Sequence, residues 1–141
     1  MQDARTENFD DILNDIDYDD IDINATDISG NTALHYVSKK NKQPIIVKVL
    51  QDFNININTY DNYGMTPLHY ATTRNHPECT KTLMESKHIK VNIQDQDSMT
   101  ALHYSSYYKD PESGKLLMAH KDINLNIHNK AALPPLHSVF R

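Results

Sequence analysis

The pentapeptide Thr32-Ala33-Leu34-His35-Tyr36 recurs as Thr66-Pro67-Leu68-His69-Tyr70 and as Thr100-Ala101-Leu102-His103-Tyr104. A weaker fourth copy stands at Pro134-Pro135-Leu136-His137-Ser138, and every interval is 34 residues. A strict period of this length marks a solenoid, because one unit is too small to bury its own apolar face and must stack on the next. Such a chain offers a long binding surface rather than an enclosed reaction pocket.

Each period has the same internal plan. A polar turn opens it, at Asp27-Ile28-Ser29-Gly30, Asp61-Asn62-Tyr63-Gly64, Asp95-Gln96-Asp97-Ser98 and Asn129-Lys130-Ala131-Ala132. Gly in the fourth place suits a positive φ, and Asp or Asn in the first can bond its own turn. The threonine then predicts a helix N-cap, with Pro67 in a first turn where its missing N–H costs nothing. A second break at Asn41, Asn75 and Lys109 precedes another helix, opened near Pro44, Pro77 and Pro111. Its apolar stripe is expected at Ile45, Ile46, Val49 and Leu50, then Cys79, Thr80, Leu83 and Met84, then Ser113, Gly114, Leu117 and Met118. An alternating extended stretch follows, and Asn24, Asn58, Asn92 and Asn126 again lie 34 apart.

Turn, helix, helix and extended return is the ankyrin plan, and the residues resemble that family. Its pattern D-x-x-G-x-T-P-L-H-x-A is matched by Asp61, Gly64, Thr66, Pro67, Leu68, His69 and Ala71 without a gap. The tetratricopeptide repeat shares the 34-residue period but fails on content, since the chain has no Trp. The resemblance covers residues 8–141. It implies an all-α repeat solenoid with β-hairpin-like loops, about three full repeats and partial units at both ends. Residues 1–31 are expected to form an acidic segment with a half-repeat capping helix on Phe9, Ile12, Leu13 and Ile16, and residues 32–141 the array, its last repeat incomplete. The family's glycine after the second helix is missing throughout, so those helices are expected to end on Asn, Lys or His. Ser98 and Ala132 replace the turn glycine, and Ser113 and Gly114 weaken the stripe, so the C-terminal units should be the softer end. The sequence ends at Phe140-Arg141, inside the fourth unit's first helix. The expectation there is continuation into a longer protein, or an end covered by a partner or by end-to-end self-association.

Charge and composition narrow the function. Residues 1–31 hold ten acids against Arg5, a net of −9, while residues 32–141 carry a net of +4. Nucleic-acid binding through Lys39, Lys40, Lys42, Arg74 and Lys81 is disfavoured by that acidic head. One cysteine, Cys79, excludes an internal disulfide and fits a reducing cytoplasmic or nuclear setting. No apolar run reaches membrane-spanning length. Histidines on stacked helices 8–10 Å apart cannot share one metal ion at about 2 Å. In the family the Leu-His histidine and its Thr instead join a network that fixes the turn. No nucleophile elbow, phosphate loop or metalloprotease motif occurs, so neither an enzyme nor a cofactor is expected.

The resemblance implies a protein-interaction module that meets its partner on a concave strip of turn tips and first-helix ends. In this sequence the strip gathers Tyr60, Tyr63, Met65, Met99, Tyr107 and Tyr108 beside Lys39, Lys40 and Arg74, types suited to an interface core flanked by positive charge. A protein partner with acidic rims and an apolar centre would fit. The second reading is the recruiting segment of a longer enzyme or of a host-directed viral or bacterial effector.

Overall fold

The structure is a computed structural model and describes residues 22–51 and 54–131. The expected N-terminal capping helix and the fourth Leu-His copy lie outside the described residues. Among the described residues six short helices follow one another: α1 (Ala33–Lys39), α2 (Gln43–Leu50), α3 (Pro67–Thr73), α4 (Pro77–Met84), α5 (Ala101–Tyr107) and α6 (Pro111–Met118). They pair as hairpins α1/α2, α3/α4 and α5/α6. First helices stack as α1 on α3 on α5, and second helices as α2 on α4 on α6. Two parallel layers of helices result, the solenoid that the period predicts.

Local chemistry sets each helix's length. Thr32, Thr66 and Thr100 are N-caps, and each makes a capping box with the histidine three residues on. Histidine here replaces the usual Glu or Gln of that box. At the other end Asn41, Asn75 and Lys109 adopt φ of 56°, 55° and 55°. The chain then closes with amide bonds back to the last turn: Lys42 N–H to Val37 O, His76 N–H to Ala71 O, and Asp110 N–H to Ser105 O. This left-handed stop turns the chain sharply into the second helix. Pro44, Pro77 and Pro111 sit in that helix's first turn.

Most of the expected stripe lies in the core. Ile46, Val49, Cys79, Leu83 and Leu117 are fully buried with Leu34, Leu68 and Leu102, while Ile45, Leu50 and Met84 pack half-buried around them. Met118 departs from expectation and is exposed. The weak positions of the third unit are partly compensated. Ser113 donates its hydroxyl to Thr80 Oγ1 at 2.9 Å across the unit boundary, and a Cβ on Gly114 would meet Ser105 Oγ at 3.4 Å.

Two expectations about the connections need correction. The second helices do not end on Asn, Lys or His: their C-caps are Gln51, Glu85 and Ala119, all in right-handed helical conformation. The last turn tightens instead, with Ser86 N–H bonding Leu83 O and His120 N–H bonding Leu117 O, so no left-handed glycine is required. The segments expected to be extended form no strand among the described residues. Their order comes from side chains. Asn58 donates from Nδ2 to His88 O at 2.9 Å and accepts at Oδ1 from Lys90 N–H at 2.9 Å. Asn92 repeats the pair with Asp122 O and Asn124 N–H, and Asn24 makes it with Asn54 O and Asn56 N–H. Each amide thus acts as a peptide group bridging to the next unit.

Candidate protein-interaction surface

The first three turn tips are each built on an aspartate. Asp61 Oδ1 accepts from the N–H groups of Tyr63 and Met65 at 2.9 and 3.0 Å, and Oδ2 accepts from the Tyr70 hydroxyl. Asp27 does the same with Ser29, Asn31 and Tyr36, and Asp95 with Asp97, Met99 and Tyr104. Burial opposes the charge on Asp27, but the Tyr36 hydroxyl and the two turn amides outweigh it and hold the carboxyl below its ordinary value. The partner hydroxyls respond in the opposite sense: burial first, then Asp61 and Asp95, push Tyr70 and Tyr104 well above the usual phenol range.

Successive tips are bonded to one another. Asn62 N–H reaches Ser29 O at 3.0 Å, Gln96 N–H reaches Tyr63 O at 3.1 Å, and Lys130 N–H reaches Asp97 O at 3.2 Å. Gly64 is needed here twice over. Its φ is +77°, and a Cβ would stand 3.0 Å from Asp95 Cα and from Gln96 N. Ser98 holds the same left-handed turn at φ 61° without glycine's freedom.

The Leu-His histidines fix the tips to the helices. His69 Nδ1 accepts from Thr66 N–H at 3.0 Å and lies 2.9 Å from Thr66 Oγ1, while Nε2 lies 2.9 Å from Met99 O in the next unit. A carbonyl can only accept, so Nε2 carries the proton and Nδ1 is the acceptor. His35 repeats this with Thr32 and Met65 O. Burial pushes both imidazoles below their ordinary pKa, against the Met carbonyls and nearby Asp61 and Asp95, which favour protonation. Both nitrogens of each ring are spent on structure.

The residues expected on the strip divide three ways. Tyr60, Tyr63, Tyr107 and Tyr108 are exposed, Tyr107 at 68%. Tyr107 and Tyr108 meet edge to face at 4.9 Å, and Tyr108 stacks on Tyr104 at 6.1 Å, giving one aromatic cluster at the end of α5. Lys40 and Arg74 are exposed at the C-caps of α1 and α3. Met65 must be corrected: it is 8% exposed, because its amide is held by Asp61 and its carbonyl by His35, which draws the residue under the tip. Met99 is half-buried for the same reason. Lys39 is half-buried rather than displayed. Its Nζ donates to Asn31 Oδ1 at 3.2 Å and sits 4.3 Å from the Tyr70 ring centroid and 5.2 Å from that of Tyr36. Burial lowers its pKa, Asp61 opposes that, and Arg74 adds to it.

Ile28, which the sequence places at the first turn tip, is 97% exposed. Sequence reasoning missed the Asp–Tyr pair of each unit. The signal was there: Asp27 and Tyr36, Asp61 and Tyr70, and Asp95 and Tyr104 are each nine apart.

The family model for ankyrin repeats, in three copies, matches residues 1–95. The chain belongs to the ankyrin repeat family. The third hairpin, α5/α6, lies beyond the matched residues yet keeps the ankyrin frame, with the same capping box at Thr100 and His103. No curated protein matches the chain. Ankyrin repeats are in general protein–protein interaction modules, and the family is generally non-enzymatic. No described helix is long and apolar enough to cross a membrane.

Proposed function

We propose that this ankyrin chain is a non-enzymatic scaffold, adaptor or inhibitor that holds a protein partner on the strip of turn tips and first-helix ends. The contact residues are Tyr60, Tyr63, Tyr107 and Tyr108, flanked by Lys40 and Arg74, with Met99 contributing at its exposed edge. Lys39 and Met65 support the surface from below. The observation that carries this reading is the Tyr107–Tyr108 pair: two large rings packed on each other and left in solvent. Tyrosine and arginine are the types that dominate interface energetics, and a charged rim selects an acidic surround.

The test places a photo-crosslinking side chain at Tyr107, and separately at the exposed Glu85 on the second-helix side. The position-107 probe should capture a partner that the position-85 probe does not. The combined replacement of Tyr63, Tyr107 and Tyr108 by Ala should lower affinity for that partner about 100-fold, as expected for loss of interface anchors. A triple variant with an unchanged circular dichroism spectrum and unchanged affinity would remove these residues from the function.

A further inference from the structure

Neighbouring first helices carry two tyrosine frames, and the chain fills only one with a cation. Between Tyr36 and Tyr70 it places Lys39, with Nζ 5.2 and 4.3 Å from the two ring centroids. The hydroxyls of those rings are tied to Asp27 and Asp61, and both carboxylates act favourably on the ammonium. Rings supply their negative faces and carboxylates supply net charge, a combination that holds an ammonium well.

One unit on, the tyrosine pair recurs without a lysine of its own, although its Tyr70 ring already carries Lys39. Tyr70 and Tyr104 are spaced like Tyr36 and Tyr70 in the repeat, with hydroxyls on Asp61 and Asp95. Thr73 stands where Lys39 stands, and its hydroxyl turns back to Tyr70 O at 3.1 Å. Among the described residues no cation of the chain lies over the Tyr104 ring, which stacks on Tyr108 with an interplanar angle of 22°. Met65 replaces Asn31 at the acceptor position, so recognition there rests on rings and carboxylates. Arg74 bears on Tyr70 and the Lys39 ammonium sits 4.3 Å from the Tyr70 centroid, so an incoming cation would feel both.

We propose that the Tyr70–Tyr104 frame is a receptor for a lysine side chain delivered by an extended segment of a protein partner. This deepens the proposed function by naming what one point of the same face accepts. Lys39 is the internal copy of the ligand, and the chain shows with its own residues how an ammonium sits in such a frame. A partner that is acidic opposite Lys40 and Arg74 therefore carries a lysine opposite Thr73.

The test titrates acetyl-Gly-Lys-Gly-amide into the whole chain and follows the ring protons of Tyr70 and Tyr104 by NMR, assigned with Tyr70→Phe and Tyr104→Phe. Both rings should shift saturably, and the norleucine and acetyl-lysine analogues should bind about five-fold or more weakly, since they keep the stem and lose the charge. Thr73→Lys, which closes the frame from within, should weaken the probe about five-fold, while Thr73→Ala should leave it bound. Lys39→Thr should open a second, equivalent site on Tyr36 and Tyr70 and double the stoichiometry. Failure to shift, an equal response to the norleucine analogue, or unchanged binding by Thr73→Lys would overturn the proposal. Tyr63, Tyr107 and Tyr108 stay intact in all these variants, so failure of the lysine frame is read separately from failure of the tip contacts.

Discussion

Replacing His69 by Ala tests whether one imidazole joins two units. The ring is 1% exposed and holds Thr66 N–H at 3.0 Å and Met99 O at 2.9 Å. Its removal strands a buried donor in its own unit and a carbonyl in the next, each costing about 1–3 kcal/mol. The vacated ring adds a packing loss, so the expected cost is about 3–5 kcal/mol, a large share of a typical total of about 5–15 kcal/mol. His69→Asn divides that sum. Its amide oxygen can still accept from Thr66 N–H, but the side chain is too short for Met99, so it should cost about half as much. Urea unfolding followed by circular dichroism gives both free energies, and hydrogen exchange locates the damage. Amides of α5 should lose protection in both variants although the substitution lies in α3. A cost under about 1 kcal/mol for His69→Ala, or exchange confined to α3, would refute the inter-unit role.

Stability should fall with pH below the ordinary imidazole value. His35 and His69 have folded pKa values below the unfolded one, so the unfolded chain binds more protons, and their contribution is complete above about pH 6.5 and declines as pH drops from there toward the folded values. Melting temperatures across pH 7.5 to 5 read this, and a flat profile in His35→Asn/His69→Asn would assign it. Asn58→Ala removes two inter-unit bonds at an accessible site and should cost about 1–2 kcal/mol, with Asn58→Asp losing only the donor and costing about half; chemical denaturation checks both. Lys109→Gly should raise stability by about 0.5–1 kcal/mol, seen as a higher urea midpoint, because a lysine at φ 55° pays a steric penalty glycine escapes. Cys79 is buried, its thiol pushed up to about 11 by burial and then by Glu78, and Sγ lies 3.2 Å from Asn41 Oδ1. Its alkylation at pH 8 should be slow in the native chain and become fast in urea, followed by mass spectrometry.

What the sequence made legible follows from the range of the forces involved. Thr32, Thr66 and Thr100 cap their helices through atoms three residues away, so the pattern that encodes them is local and readable. The stripe at Ile46, Val49, Leu83 and Leu117 is readable for the same reason, since helical period alone decides which face is buried. Met118 broke that rule: it is exposed, where its counterparts Leu50 and Met84 in the preceding units are half-buried. Met65 failed in the opposite direction. Its neighbours in sequence mark a turn tip, but the Asp61 carboxylate and the His35 ring, 30 residues back, pull its backbone inward.

The interaction surface shows the same division more sharply. Tyr107 and Tyr108 were legible as surface residues because they stand at the end of a first helix, off its buried face. Lys39 looked identical in kind, a cation at the end of a first helix, and yet the next unit's Tyr70 takes it up. Whether a residue at this position is displayed or consumed is settled across the unit boundary by what stands 31 residues later. The asparagine ladder obeys the same logic, with Asn58 finding its partners 30 and 32 residues on. In a repeat chain the contacts that decide which residues are displayed are therefore offset by nearly one period. Position 39 and its counterparts 73 and 107 show the range: Lys39 is taken up by the next unit's Tyr70, Thr73 bonds back to its own helix, and Tyr107 stands exposed.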